Sequence, residues 1–264
     1  MIHLHFTFVF SSRAFFSFVR LTDPARYRDY NEWHQLDHRP ENLLLPGVAW
    51  GERWAATADC AELTTAPAPE YSGLDFVAMY WFRDPAEQSV TEWSALGERS
   101  FQWGRRPELS YVERPFLGFF SPVKGYVAPR VLVSAEALPF RPNRGIRLTL
   151  TRVKDPHGLA AEQAFRWHDT VAMPGLLAIP GVAGGWTFSF LHTQRHATVP
   201  RDGGPDFPPG SLRLRLLFLD EDPVRVEHDI RRQEAAWAED GAPGPAEELL
   251  LSGPLRTIIP WQDW

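Results

Sequence analysis

Cysteine is almost absent from this chain of 264 residues, which contains only Cys60. A single cysteine excludes a disulfide within the chain and any metal site built from several cysteines. The sequence also has no run of about 18 apolar residues, so no membrane-spanning helix is expected. Its apolar first residues lack the basic start and the length of a signal peptide, and we expect a cytoplasmic protein with no membrane partner.

Clustered positive charge is missing as well. The net charge is −6 and the pI is near 5.9. A nucleic-acid surface needs grouped lysines and arginines to meet phosphates, so we expect no nucleic-acid partner. There is no nucleophile-elbow Gly-x-Ser-x-Gly, no P-loop and no Gly-x-Gly-x-x-Gly, and we therefore expect chemistry without an organic cofactor.

Apolar and aromatic residues are plentiful instead. They make up 44% and 13% of the chain, and eleven residues are tryptophan. This composition supplies a large core, and clustered aromatic side chains also line pockets for flat, hydrophobic ligands. A small hydrophobic or aromatic molecule is the partner that the composition favours.

The chain contains an internal repeat. Residues 33–48 read WHQLDHRPENLLLPGV and residues 167–182 read WHDTVAMPGLLAIPGV, with seven identities in sixteen positions at an offset of 134. Further landmarks recur with similar offsets, namely the Asp-Pro pairs at 23–24 and 155–156 and at 84–85 and 222–223. We interpret the chain as a tandem duplication.

Each copy predicts the order β-α-β-β-α-β, the split βαβ of ferredoxin-like α+β units. The first helix of each copy is expected to end near Asp37 and Thr170, before a proline-containing stretch. We place the first unit at residues 1–125, a linker at 126–144 and the second unit at 145–264. A Pro- and Gly-rich loop is expected at 192–210.

The third strand of the first copy predicts how the units pack. Phe76, Ala78, Tyr80 and Phe82 share one face, and Val77, Met79 and Trp81 share the other. Apolar residues on both faces indicate that both are buried. Two helices cover only one face, so the sheet of the second copy is expected to cover the other. In the second copy, Arg213 and Arg215 are expected to face water, with an anionic ligand as the alternative.

The first helix and the segment after it resemble EthD-type proteins of the dimeric α+β barrel superfamily. The resemblance depends on a helix carrying Tyr30, Trp33, His34 and His38, then Arg39-Pro40 and Pro46-Gly47-Val48. It implies two sheets packed face to face, here from the two fused copies, as a monomer or a homodimer. It also implies a site between a unit's sheet and its helices. The superfamily contains many activities, so the fold does not choose among them.

His34 and His38 are the candidate catalytic residues, because residues four apart share one face of a helix. Imidazole exchanges protons near neutral pH, and Tyr30 on the same face is a candidate for polarising a carbonyl or phenol oxygen. Ala172 stands where the second copy would repeat His38. We therefore place the working site in the first unit and regard the second as degenerate or a scaffold.

Aromatic residues near this helix are candidate substrate-binding residues. They would line a pocket for an aromatic or polyketide-like molecule together with one arginine: Trp33, Trp50, Trp54, Arg53, Trp81 and Trp103. Any one of these tryptophans also fits simple core packing.

Several functions stay open at this point. His-x-x-x-His has metal-ligand spacing, but the glutamate of the zinc-protease motif is missing, and we assign no metal. A haem site needs only one axial histidine, and no feature of the sequence marks one. The favoured function is acid–base chemistry of the cyclase, isomerase or lyase type. The alternatives are a cofactor-independent monooxygenase and a non-catalytic binding or stress protein.

Overall fold

The computed structural model describes residues 9–194, 206–242 and 246–262. The strands in these residues are β1 (Ala14–Leu21), β2 (Val48–Ala55), β3 (Phe76–Phe82), β4 (Val112–Val127), β5 (Gly145–Val153), β6 (Val182–Thr193), β7 (Leu212–Leu219) and β8 (Glu247–Thr257). The α-helices are α1 (Tyr27–Glu32), α2 (Arg39–Leu44), α3 (Ala58–Glu62), α4 (Ala86–Gln102), α5 (Leu159–Trp167), α6 (Met173–Ala178) and α7 (Pro223–Glu239). The predicted α+β fold is confirmed, with the short helix α3 as an addition in the first unit.

The strands form one closed antiparallel barrel. The first unit contributes the order β4-β1-β3-β2 and the second β6-β7-β5-β8. A long ladder from Gly118–Thr193 to Val127–Gly184 joins β4 to β6, and a short one at Trp54–Thr257 joins β2 to β8. Closure removes the free sheet edges that two separate units would expose. The two ferredoxin-like units therefore pack sheet to sheet within one chain.

The main core lies between the two sheets. Val77, Met79 and Trp81 of β3 belong to it, and the alternating Leu212, Leu214 and other apolar residues of β7 face them from the second sheet. All seven residues of β3 are buried. The prediction that both faces of β3 are covered is confirmed, because helices lie on the outer face and the second sheet on the inner face.

The first helix of each unit continues further than the sequence indicates. A π-helical turn at Trp33–His38 connects α1 to α2, and one at His168–Ala172 connects α5 to α6. In the first of these the Arg39 N–H donates to the carbonyl of His34, five residues earlier. Each wide π-helical turn comes just before a proline, Pro40 in the first unit and Pro174 in the second. The turn lets the helix continue through the proline, which an ordinary helix interior excludes. The predicted helix ends at Asp37 and Thr170 are wrong for this reason.

Two glycines allow the sharp entry into β2 and β6. Gly181 has a φ of +95°, which side chains rarely adopt. A Cβ at Gly47 would lie 2.5 Å from the Ser89 hydroxyl, so only glycine lets α4 approach. Between the units, β4 ends at Val127 and β5 begins at Gly145.

The expected loop at 192–210 is described only in part. Strand β6 extends to Thr193, and residues 195–205 lie outside the described residues. Within the described part of the chain, no helix has the length and apolar character needed to cross a membrane.

Candidate functional site

A cavity of about 100 Å³ lies between the helices of the first unit and the outer face of its sheet. Helices α1, α2 and α4 and the π-helical turn contribute Tyr30, Trp33, His34, His38, Asn42, Trp93, Gly97 and Ser100. The sheet contributes Phe15, Ser17, Val19, Ala78, Tyr80, Arg114 and Leu117, and Arg106 and Gln194 complete the lining. No carboxylate is among the described residues that line this cavity.

The π-helical turn brings the two histidines together. The ring centroids of His34 and His38 are 5.1 Å apart and their planes are nearly perpendicular. Trp33 stacks on His38 at 4.8 Å. The Nδ1 atom of His38 lies 3.3 Å from the amide nitrogen of Asn42, which also donates to the His38 carbonyl. Because that amide nitrogen is a donor, the neutral ring of His38 carries its proton on Nε2.

His34 is more deeply buried than His38, with 5% of its surface exposed. Among the described residues, its Nδ1 atom has no hydrogen-bond partner. A buried ring nitrogen without a partner costs free energy unless a ligand or water completes it. His34 therefore lines the cavity with an imidazole whose Nδ1 atom is buried and has no hydrogen-bond partner among the described residues.

The environment keeps both histidines neutral. Burial, followed by the positive charges of Arg114, Arg106 and Arg53, lowers the pKa of His38 to about 3. Burial, followed by the charge of Arg53, also places the pKa of His34 well below its usual range. Charged imidazole is disfavoured in a dry, positively charged cavity. An anion bound here would cancel part of the positive charge and raise both pKa values.

Arg53 lies beneath this cavity rather than in its lining. Its guanidinium group is fully buried, donates to the side-chain oxygen of Asn31 and lies 4.5 Å from the Phe76 ring centre. Its Nε and Nη1 atoms have no partner among the described residues, and burial lowers its pKa to about 10. Arg53 thus acts on the site through its charge.

The predicted binding tryptophans are distributed over three environments. Trp33 lines the cavity. Trp50, Trp54 and Trp81 lie in the core between the sheets instead, because the alternation of β2 and β3 turns them inward. Trp103 is 59% exposed after the end of α4, where Arg105 stacks on it. These four residues do not line the cavity, whereas Trp93 does.

Asn42, Arg106 and Arg114 are among the polar cavity residues that the sequence did not predict. Asn42 follows His38 by four residues and would have been found on the same helix face if the helix had been extended past Pro40. Arg106 follows α4 and Arg114 lies near the start of β4, and no local sequence pattern connects them to the histidines.

The arginines of the second unit also differ from expectation. Arg215 pairs with Glu247 and Arg213 stacks on Phe165, so neither faces water.

The His-x-x-x-His pair does not recruit a third metal ligand. Across residues 9–194, 206–242 and 246–262, no three His, Cys, Asp or Glu side chains are grouped to hold a metal ion. Cys60 is buried away from this cavity.

No protein-family profile and no curated protein sequence matches the chain. Three solved structures illustrate the similarity in fold. A candidate monooxygenase from Fusobacterium nucleatum shares 6% identity over 94% of each chain, with a TM-score of 0.50. An anthrone oxidase-like protein shares 9% identity over 95% of this chain and 93% of its own, with a TM-score of 0.45.

The third structure is a candidate monooxygenase from Lactobacillus acidophilus. It shares 10% identity over 92% of this chain and 96% of its own, with a TM-score of 0.44. The likeness to the Fusobacterium structure shows that the chain has the dimeric α+β barrel fold. At this level of identity the chemistry must be argued from the residues of the chain itself.

Proposed function

We propose that the chain is an enzyme without an organic cofactor that removes and returns a proton on a hydrophobic, aromatic or polyketide-like ketone. The observation that carries the proposal is the pair of buried, neutral imidazoles in a cavity lined by arginines and by no described carboxylate. A neutral imidazole accepts a proton through its unprotonated ring nitrogen, and no described residue requires the Nδ1 atom of His34 to carry the proton. His34 is therefore the proposed base.

His38 is proposed as the electrophilic partner. Its Nε2–H, fixed by the Asn42 amide on the other ring nitrogen, donates to the substrate carbonyl oxygen. A neutral imidazole polarises a carbonyl without losing its proton to water, and the lowered pKa keeps it neutral. Tyr30, which also lines the cavity, is proposed as a second donor to the same oxygen.

The arginines determine which intermediate the cavity stabilises. Removal of a proton next to a carbonyl leaves an enolate, and its negative charge develops close to Arg114 and Arg106. Charges that are already in position stabilise such an anion without reorganisation. The proton on His34 then returns to another carbon for isomerisation. In cyclisation the enolate carbon attacks a second carbonyl, and the alkoxide that forms takes the proton from His34. In lyase-type cleavage His34 instead takes the proton of a β-hydroxyl group, the C–C bond breaks to a carbonyl compound and an enolate, and the proton returns to the enolate carbon.

A cofactor-independent monooxygenase is the second candidate, and the same arginine-lined cavity supports it. The substrate anion would reduce molecular oxygen directly, so that a CH₂ group and O₂ give a ketone and water. The monooxygenase descriptions of the Fusobacterium and Lactobacillus structures agree with this chemistry. Oxygen consumption separates the two candidates, because isomerisation, cyclisation and cleavage require none.

The ancestry and assembly belong to the same proposal. The repeated Trp-His and Pro-Gly-Val segments and the matching π-helical turns support a tandem duplication of an EthD-type unit. Because the fused units already close the barrel, we propose a monomer, with a homodimer through outer surfaces as the alternative. The proposed partner is the small hydrophobic substrate alone.

Proton removal is measurable before the natural substrate is identified. The cavity of about 100 Å³ is partly open to solvent, so phenylacetone can place its carbonyl and acidic C–H inside while its aromatic ring lies at the opening. Its exchange with deuterium in D₂O is followed by proton NMR. We expect the protein to accelerate exchange, and His34→Ala and His38→Ala each to reduce the rate by about 100- to 10,000-fold. Arg114→Gln should also slow exchange, because the enolate loses a neighbouring positive charge.

The control is His228→Gln, which removes an exposed histidine of α7 outside the cavity. Full exchange activity in both cavity variants would disprove the acid–base assignment. Tight phenylacetone binding without exchange, unchanged in both variants, would identify the non-catalytic binding protein instead.

A further inference from the structure

The second unit contains its own cavity, of about 270 Å³, between its helices and the outer face of its sheet. The two cavities occupy equivalent places, because His168 lies at the repeat position of His34 and both residues belong to a π-helical turn. Ala172 replaces His38 in the second unit and Leu176 replaces Asn42. These changes remove an imidazole and its hydrogen-bonding partner, and they leave more room than the first cavity has.

The helix side of the second cavity is apolar. Trp167 and Trp237 meet edge to face with ring centroids 5.5 Å apart. Met173 and Leu176 of α6 are buried and belong to one hydrophobic cluster with Leu217 of β7. Aromatic edges and a thioether adapt well to the face of a flat ligand.

The sheet side is polar, but its charges are paired. Arg215 makes two hydrogen bonds of 2.6 and 2.7 Å to Glu247. Arg147 contacts Glu234 at 2.9 Å and the buried Glu227 at 3.3 Å. Each of these two arginines therefore already has a carboxylate partner. This cavity offers an anion no unmatched positive charge.

His168 supplies a neutral polar atom in this setting. Burial, followed by the charge of Arg215, lowers its pKa to about 4, so the ring is uncharged at neutral pH. A neutral imidazole exchanges a hydrogen bond with a hydroxyl or a carbonyl. Ala172 and Leu176 occupy the places of His38 and Asn42, so His168 has no second imidazole beside it among the described residues. Because a single neutral imidazole lacks the partner proposed for proton transfer, this cavity favours binding.

We propose that the second cavity is a separate binding site for a neutral aromatic molecule of two fused rings that carries one hydroxyl or carbonyl group. An apolar cavity of about 150 Å³ accommodates benzene. The volume of about 270 Å³ is therefore sufficient for a second ring. The paired charges select an uncharged ligand, and His168 contacts its polar atom. The inference does not depend on the chemistry of the first cavity.

The probe for the test is 2-naphthol at pH 7, where it is neutral, added to the full chain labelled with ¹³C at the methionine methyl groups. The chain has three methionines. Met173 lines the second cavity, and Met79 lies in the core between the sheets. We expect ring currents of the bound probe to shift the Met173 signal and leave the Met79 signal in place. Met173→Leu assigns the signal.

Matched variants locate the bound probe independently. Ala172→Phe fills the second cavity and should weaken 2-naphthol binding by at least about tenfold in calorimetry. His38→Ala alters the first cavity and should leave this affinity within about twofold, whatever it does to proton exchange. An unshifted Met173 signal at saturating probe, or affinity lost in His38→Ala and kept in Ala172→Phe, would overturn the inference. The Met173 signal is measured in the unaltered protein, so a poorly folded variant does not remove the test.

Discussion

The buried neutral state of His34 predicts a specific dependence of stability on pH. In the unfolded chain a histidine has a pKa of about 6.5, whereas in the fold its pKa is well below the usual range. Between pH 7 and pH 5 the unfolded chain therefore takes up a proton at this position and the folded chain does not. Proton uptake by the unfolded state lowers the free energy of unfolding as the pH falls. For one such histidine the loss over this interval is about 2 kcal/mol.

The assay is urea unfolding of the unaltered protein and of His34→Gln at both pH values. Glutamine does not titrate, so the variant should lose about 2 kcal/mol less stability on going from pH 7 to pH 5. Carboxyl groups contribute little to the change in the free energy of unfolding between pH 7 and pH 5. Their remaining contribution is the same in both proteins and cancels when the two changes are subtracted.

An equal loss in His34→Gln would refute the reasoning. It would mean that folded His34 takes up a proton by pH 5, and hence that water or an anion reaches it. The explanation that burial and the charge of Arg53 keep this imidazole neutral at pH 5 would then be wrong. A smaller loss in the variant supports a neutral imidazole at the cavity.

Further predictions concern packing and the paired charges. Trp93→Ala should lower the free energy of unfolding by about 3–5 kcal/mol, because the buried ring packs against the sheet. Trp103→Ala, at the surface, should change it by less than about 0.5 kcal/mol in the same denaturation assay. Glu247→Gln should cost about 3 kcal/mol, since it leaves the largely buried Arg215 without its carboxylate. Burial alone would raise the pKa of Glu247, but hydrogen bonds and charge from Arg215 lower it to about 2. The carboxylate therefore stabilises the fold above about pH 4.5 and loses that contribution as the pH falls toward 2. Acid-unfolding curves of Glu247→Gln should lack this loss of stability.

Much of the fold was predictable because it depends on patterns that recur along the chain. The repeated segments 33–48 and 167–182 indicate two units, and alternation in Phe76–Phe82 indicates a sheet covered on both sides. The helix spacing of His34 and His38 placed both on one face. The helix ends were not predictable, because a proline after a π-helical turn looks in sequence like a helix stop.

The sequence by itself determined the order of the elements, the burial of both sheet faces and the neighbourhood of His34 and His38, because local periodicity fixes which side chains share a surface. Only the tertiary structure decided that Trp50, Trp54 and Trp81 pack between the sheets and that Trp93 lines the cavity. It also brought Arg114 to His38 from a strand 76 residues further along the chain. Charge and burial act through space, so the pKa values that give this cavity its chemistry are properties of the folded barrel.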